Sequence, residues 1–262
     1  MKIAHEAPLS IFDNVQALTD YDYALVHLFE ENSDYWCKFL EAKQRGREII
    51  LDNSIFELGT AWDGDRFAYW VERLQPDWYI VPDVLDSGQD TIDSFEAFIK
   101  KYPNLPGKRI AVAQGSTMIE WIDSYKYLSQ HDKVDKIGIS FNHPFYQDVD
   151  YGNKYLNMMA GRQGMLAFVL QNNIINTKKP HHILGCGLPQ EYKAYSNFKY
   201  DWIESCDTSN PVIHGLKNIR YEEHGLNNKE PVKLFTLIND DITKYWPVIE
   251  YNIRRFREFA NE

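Results

Sequence analysis

The chain has 262 residues, 44% of them hydrophobic and 25% charged, a balance that sustains one substantial core and excludes an intrinsically disordered chain. No apolar run approaches the about 20 residues that a membrane-spanning helix needs, and Met1-Lys2-Ile3-Ala4-His5-Glu6 lacks the apolar centre of a signal peptide, so the expectation is a cytoplasmic protein without membrane contact. A formal net charge of -10 speaks against extensive contact with duplex nucleic acid, where phosphate contacts demand a basic surplus, yet it leaves room for a local basic rim.

The hydrophobic pattern alternates short β-type runs with longer helical ones. Lys2-Ile3-Ala4 reads as a first strand, ending at His5-Glu6, with a short helix over residues 10–18. Tyr23-Ala24-Leu25-Val26 reads as the second strand, ending at His27. Residues 34–45 follow as a helix in which Trp36, Phe39 and Leu40 keep i, i+3, i+4 spacing. Glu48-Ile49-Ile50-Leu51 is a third strand, stopping at Asp52-Asn53-Ser54, and residues 66–74 form an amphipathic helix through Phe67, Trp70, Val71 and Leu74.

Trp78-Tyr79-Ile80-Val81 is a fourth strand and runs into Pro82-Asp83-Val84. The helix behind it spans residues 91–100, with Asp90 as its N-cap. Arg109-Ile110-Ala111-Val112-Ala113 is the fifth strand, ending at Gln114-Gly115-Ser116 before a helix over 117–128. Lys136-Ile137-Gly138-Ile139 is the sixth, ending at Ser140-Phe141-Asn142, with a long helical return over 153–171. His182-Ile183-Leu184 is the seventh, ending at Gly185-Cys186-Gly187, with a helix over 190–197. Residues 200–205 form the eighth, and Asp207 stands at its mouth. Residues 222–230 are polar loop, and 242–259 close the chain as a helix with Tyr245, Trp246, Ile249, Ile253 and Phe256 on one face.

Eight strand and helix alternations in a chain of this length predict a single (β/α)8 TIM-barrel domain spanning residues 1–262, with a doubly wound open sheet as the alternative. In such a barrel the functional groups gather at the carboxyl ends of the strands. Those ends carry His5, His27, Asp52, Asp83, Gln114, Ser140, Gly185, Gly187 and Asp207. Buried strands rarely finish on free carboxylates unless something binds there, because desolvating a charge is costly. Two carboxylates from opposed strands, Asp52 and Asp207, suit substitution at a sugar carbon: one attacks the anomeric carbon and the other moves the proton. Asp83 and Gln114 are then free to read the polar edge of a purine-like base, with the Gly185 backbone allowing a flat ring to approach.

Leu51-Asp52-Asn53-Ser54, Pro82-Asp83-Val84, Val112-Ala113-Gln114-Gly115, Leu184-Gly185-Cys186-Gly187 and Ser205-Cys206-Asp207-Thr208-Ser209 resemble, in order and spacing class, the motifs of the tRNA-guanine transglycosylases. The resemblance implies Asp207 as the nucleophile that displaces guanine and Asp52 as the general acid/base. It implies Asp83, Gln114 and the backbone of Gly185, Cys186 and Gly187 as readers of the base, with Ser140 and Phe141 lining the pocket. Glu204 is the competing acid for the nucleophile position. The tRNA enzymes hold a structural zinc through three cysteines and a histidine after the last strand, whereas Cys37, Cys186 and Cys206 leave no cysteine there. No metal and no cofactor is expected. The chain is therefore similar to the compact, zinc-free phage and bacterial branch that places 7-deazaguanines into DNA. The partners this implies are a guanine or 7-deazaguanine base and a nucleic acid, DNA ahead of tRNA, with a homodimer or an accessory nucleic-acid-binding protein as further partners.

Three other readings stand beside it. A nucleoside or glycoside hydrolase would use the same two aspartates with water as acceptor. A metal-dependent hydrolase would draw on His5, His27, His181, His182 and His214, although no His-x-His or His-Glu-x-x-His spacing occurs and His181 and His182 begin a strand on the far face. A non-catalytic partner subunit would not need both Asp52 and Asp207. Phe56 or Phe141 could stack a flipped base, and Lys217 and Arg220 stand where they could meet a phosphate.

Overall fold

The computed structural model describes residues 1–148 and 150–261. Eight parallel strands make one sheet in the order β1-β8-β7-β6-β5-β4-β3-β2. They are β1 (Lys2–Ala4), β2 (Asp22–Leu25), β3 (Ile49–Asp52), β4 (Trp78–Ile80), β5 (Lys108–Ala113), β6 (Lys136–Ile139), β7 (His181–Ile183) and β8 (Ile203–Asp207). The helices between and after them are α1 (Phe12–Gln16), α2 (Val26–Glu31), α3 (Ser33–Gln44), α4 (Ile55–Leu58), α5 (Gly64–Leu74), α6 (Gly88–Lys101), α7 (Met118–Gln130), α8 (Lys154–Gln171), α9 (Asn210–Leu216) and α10 (Trp246–Asn261). β1 pairs with β8 through Lys2 to Ser205, Ile3 to Cys206 and Ala4 to Asp207, which brings the end of the sheet back to its beginning.

The architecture is a (β/α)8 barrel, closed except at the seam between β1 and β2. Asp20 bridges that seam: its backbone N–H donates to Ile3 O at 2.9 Å and its carboxylate accepts from Ile3 N at 2.8 Å. The strands are largely buried on both faces, the outer face beneath the helices and the inner face within the packed barrel. No helix among the described residues is long and apolar enough to cross a membrane.

The amino end of the barrel is plugged by charge. Lys136 is 1% exposed, and its ammonium lies 3.8 Å from the Trp78 ring centroid and 3.0 Å from Glu204. Glu48 accepts from Lys2 and from the Trp78 indole in the same layer. The pairing of β7 with β8 slips between His181 and His182, so that His181 faces Ile203 and His182 faces Ser205. Glu204 is the extra residue of that bulge, and the local kink delivers its carboxylate to Lys136.

Several boundaries differ from the sequence reading. The eighth strand is Ile203–Asp207 rather than 200–205, because Tyr200 is held in a single 3-10 turn capped by Asn197 while Asp207 still pairs with Ala4. The cap of α6 is Ser87, whose hydroxyl accepts from Asp90 N, so Asp90 lies inside the first turn. The helix expected over 10–18 is a 3-10 turn followed by the short α1. The one expected over 190–197 is a 3-10 segment, Pro189–Tyr195, and the loop over 222–230 begins with a single π turn, Tyr221–Gly225. The closing helix begins at Trp246. The short helices α2, α4 and α9 carry too few residues to show a period in the sequence.

Candidate active site

Asp207 ends β8 and lines a pocket of about 710 Å³ at the carboxyl end of the barrel. The residue is only 4% exposed. Its Oδ1 lies 3.0 Å from His182 Nε2 and 3.4 Å from the Gly185 backbone N–H, and no donor among the described residues bonds Oδ2. His182 Nδ1 in turn lies 2.9 Å from Ser205 Oγ. A carboxylate can only accept, so the imidazole carries its proton on Nε2 and accepts from the Ser205 hydroxyl through Nδ1. Burial pushes the His182 imidazole below its ordinary value, against the opposing pull of Asp207, and keeps this tautomer neutral. The expectation that His182 belongs to the far face is therefore corrected. The register slip turns its side chain into the barrel beneath Asp207. Glu204 does not line the pocket and is ion-paired to Lys136 instead.

Asp52 ends β3 on the facing wall. The tight turn after it depends on Ser54, which sits at φ 62, a left-handed conformation that few non-glycine residues adopt. That turn lets Ser54 N donate to Asp52 Oδ1 at 2.5 Å, while Tyr23 Oη donates to Oδ2 at 2.7 Å. Tyr23 also stacks on His182, with ring centroids 6.0 Å apart and planes at 18°, so the hydrogen-bond partners of the two acids pack against each other. Burial, and then the negative charge of Glu57, raise the Asp52 carboxyl well above the usual carboxylate range, against the lowering effect of the Tyr23 and Ser54 hydrogen bonds.

The same turn aims Asn53 at Asp83. Asn53 Nδ2 donates to Asp83 Oδ1 at 2.7 Å, and Gln114 Nε2 donates to Oδ2 at 2.7 Å, so both oxygens are held by amides. Gln114 turns its carbonyl oxygen toward the Asp86 N–H at 3.4 Å. Burial raises the Asp83 carboxyl, and the two amide bonds oppose the rise. Asp83, Gln114, Ser140, Phe141 and Gly185 line the same pocket as Asp52 and Asp207, with Ile80, Val112 and Leu184 as its apolar surface.

Phe141 stands against Gly185, whose φ is 60. A Cβ on Gly185 would come within 2.7 Å of the Phe141 ring, so only glycine permits this close wall. Cys186 and Gly187 do not line the pocket. Cys186 is buried behind it, where its carbonyl accepts from Lys229, and Gly187 sits near Tyr155 with its carbonyl bonded by Asn210. Lys217 and Arg220 also lie away from it, Arg220 over the Tyr251 ring.

Sequence reading missed several members of the site. Tyr23 lies inside β2 and His182 inside β7, away from the strand ends where the sequence points, and His182 is named there only for a metal site. Glu6, Glu57 and Lys229 line the pocket from loops and from α4. Glu57 Oε2 is shielded and without a hydrogen-bond partner. Burial is the first cause that lifts the Glu57 carboxyl to about 7, and the nearby Asp207 adds to it. Glu6 is raised well above the carboxylate range by burial and by Glu57. The signal available was an acid shortly past two of the strand ends, Glu6 two residues after Ala4 and Glu57 five residues beyond Asp52.

The histidines scatter. His5 Nδ1 donates to Thr208 O, and His27 packs near Trp62 and Phe235. His181 meets the Tyr125 hydroxyl, and His214 meets the Asn210 and Asn228 carbonyls. Among the described residues no group of three or more His, Cys, Asp or Glu has the geometry to hold a metal ion.

No protein-family model matches the chain, and no curated protein matches it. Among solved structures, the chain is similar to the catalytic domain of a GH26 endo-β-1,4-mannanase from Bacillus sp. JAMB-750. The two are 10% identical with a TM-score of 0.48, over 99% of this chain and 86% of that one.

Proposed function

We propose that this barrel exchanges bases at a glycosidic carbon: it replaces guanine in a nucleic acid, DNA ahead of tRNA, with a 7-deazaguanine through a glycosyl-aspartate intermediate. One observation carries the reading. Two carboxylates with different environments, one with an unbonded oxygen and one held toward its protonated form, line one pocket together with an amide-clamped third carboxylate. Carboxyl groups whose surroundings set them apart divide into nucleophile and acid.

In the first half-reaction Asp207 Oδ2 attacks the anomeric carbon, the carbon–nitrogen bond to guanine breaks, and Asp52 delivers its proton to the leaving nitrogen. In the second, Asp52 takes the proton from the incoming base, whose nitrogen attacks the same carbon and frees the Asp207 carboxylate. His182 and the Gly185 N–H hold Oδ1, which orients Oδ2 for attack. Asp83 and Gln114 read the polar edge of the base, and the apolar surface of Val112, Leu184 and Phe141 accepts its faces.

Hydrolysis is the second reading, favoured by one feature. Glu57 presents an unpartnered oxygen and a carboxyl raised to about 7, which suits a base for water. Labelled guanine and 7-deazaguanine incubated with DNA and, separately, with tRNA distinguish the two. Incorporation of label that is lost in Asp207→Asn, with base binding retained, supports exchange, whereas Asp83→Ala should chiefly raise the base concentration required. Release of unlabelled base with no incorporation would establish the hydrolase and sink the exchange reading.

A further inference from the structure

The pocket opens outward into a second chamber of about 1130 Å³, and the two share Phe56, Phe141, Ser209 and Lys229 as well as the acids Glu6 and Glu57. The outer walls place Lys154, Lys229 and Lys233 among aromatic rings. Phe56 is 56% exposed and meets Phe141 edge to face with centroids 5.1 Å apart, which puts two rings at the threshold where the inner pocket begins.

Lys229 stands at that threshold. Its ammonium is 5.0 Å from the Phe141 centroid and donates to the Cys186 carbonyl at 3.0 Å. An ammonium has three donors and this one uses a single acceptor; among the described residues it forms no ion pair. The acids on the same walls are Glu6, Glu57 and Glu230. Glu6 and Glu57 are both held toward their neutral forms by burial, which lowers the repulsion that an arriving anion meets at the inner end. Burial lowers the Lys229 ammonium, while Cys186 and the acids Glu6 and Asp207 pull it back toward the charged form. A half-buried ammonium with no ion pair among the described residues, beside the exposed Phe56 ring and two further lysines, matches the pairing of backbone charge and base stacking that single-stranded nucleic acids require.

We propose that the outer chamber seats the polynucleotide strand next to the nucleotide being processed, with Lys229 on a phosphodiester and the Phe56–Phe141 pair stacking a neighbouring base. The inference rests on the base-exchange reading and deepens it. It names the side chains that hold the flanking strand, and it confines nucleic-acid contact to a local basic rim on an acidic protein.

The test is the salt dependence of binding of a fluorescent single-stranded DNA oligonucleotide carrying one guanine, alongside its RNA counterpart. Lys229→Gln should weaken binding about tenfold and reduce the slope of log affinity against log salt by about 0.7, the signature of one lost phosphate contact on a single strand. Lys229→Arg should restore both, and Phe56→Ala should weaken binding by about tenfold through lost stacking with the salt slope kept. The same slope change on RNA supports the groove as a reader of the backbone rather than of deoxyribose. A Lys229→Gln protein with native circular dichroism and an unaltered slope overturns the assignment. Failure of the groove and failure of the reaction separate cleanly: wild type that exchanges base into a nucleoside but binds no oligonucleotide keeps the reaction and removes the groove. Wild type that binds with the expected slopes and exchanges nothing keeps the groove and removes the reaction.

Discussion

Glu57 shows how a single side chain couples the site to stability. Its carboxyl is lifted to about 7 in the folded protein, above the ordinary 4.5. The folded state therefore binds the proton more tightly than the unfolded chain, and stability falls as pH rises from about 4.5 to about 7, staying low above that. Glu57→Gln removes the titration, so the variant should gain about 2–3 kcal/mol over wild type at pH 8 and little at pH 4. Urea unfolding at the two pH values measures it, and an equal gain at both would refute the burial argument. Asp52 and Glu6 shift in the same direction, so the whole cluster trades alkaline stability for proton-holding carboxyls.

At the scale of elements, the wall of the pocket is fixed from behind by α8. Arg162 is fully buried and donates to the Leu184 and Gly185 carbonyls at 2.9 Å each, while Glu191 grips it at 2.6 and 2.9 Å. Tyr192 adds a second donor to Gly185 O, so that carbonyl faces away from the pocket and the Gly185 N–H faces Asp207. Without the guanidinium, Glu191 would be a buried charge held, among the described residues, by the Tyr195 hydroxyl alone. Arg162→Leu should therefore cost about 3–5 kcal/mol in denaturant unfolding. A loss under 1 kcal/mol would show that water replaces the guanidinium.

For the whole molecule, α10 is the clasp. Phe256 packs against His5 at the end of β1, with centroids 5.2 Å apart, and against Tyr192 after β7, at 4.8 Å. A separate cluster joins Ile249 and Ile253 to Ile11, Val15 and Val212, so the last helix covers both the first and the last parts of the barrel. Phe256→Ala should cost about 3–5 kcal/mol and lower the single unfolding transition of all probes together. Separate transitions for the tryptophan signal and the helical signal would show instead that α10 detaches without opening the barrel.

The sequence by itself determined the βα alternation, because eight buried apolar runs between helical periods must cover both faces of a parallel sheet, and the pairing of β1 with β8 decided for the closed barrel over an open sheet. The sequence also put Asp52, Asp83, Gln114 and Asp207 at strand ends, where polarity after an apolar run is visible in one dimension. Only the tertiary structure decided which side chains meet. The bulge at Glu204 separated two acids only three residues apart, sending one to Lys136 and leaving Asp207 in the pocket. Tyr23 and His182 became part of the site through stacking and hydrogen bonds across 159 positions of sequence that no local pattern encodes. Lys229 entered from a loop with no periodicity at all, since a loop is placed by what it packs against rather than by its own residues.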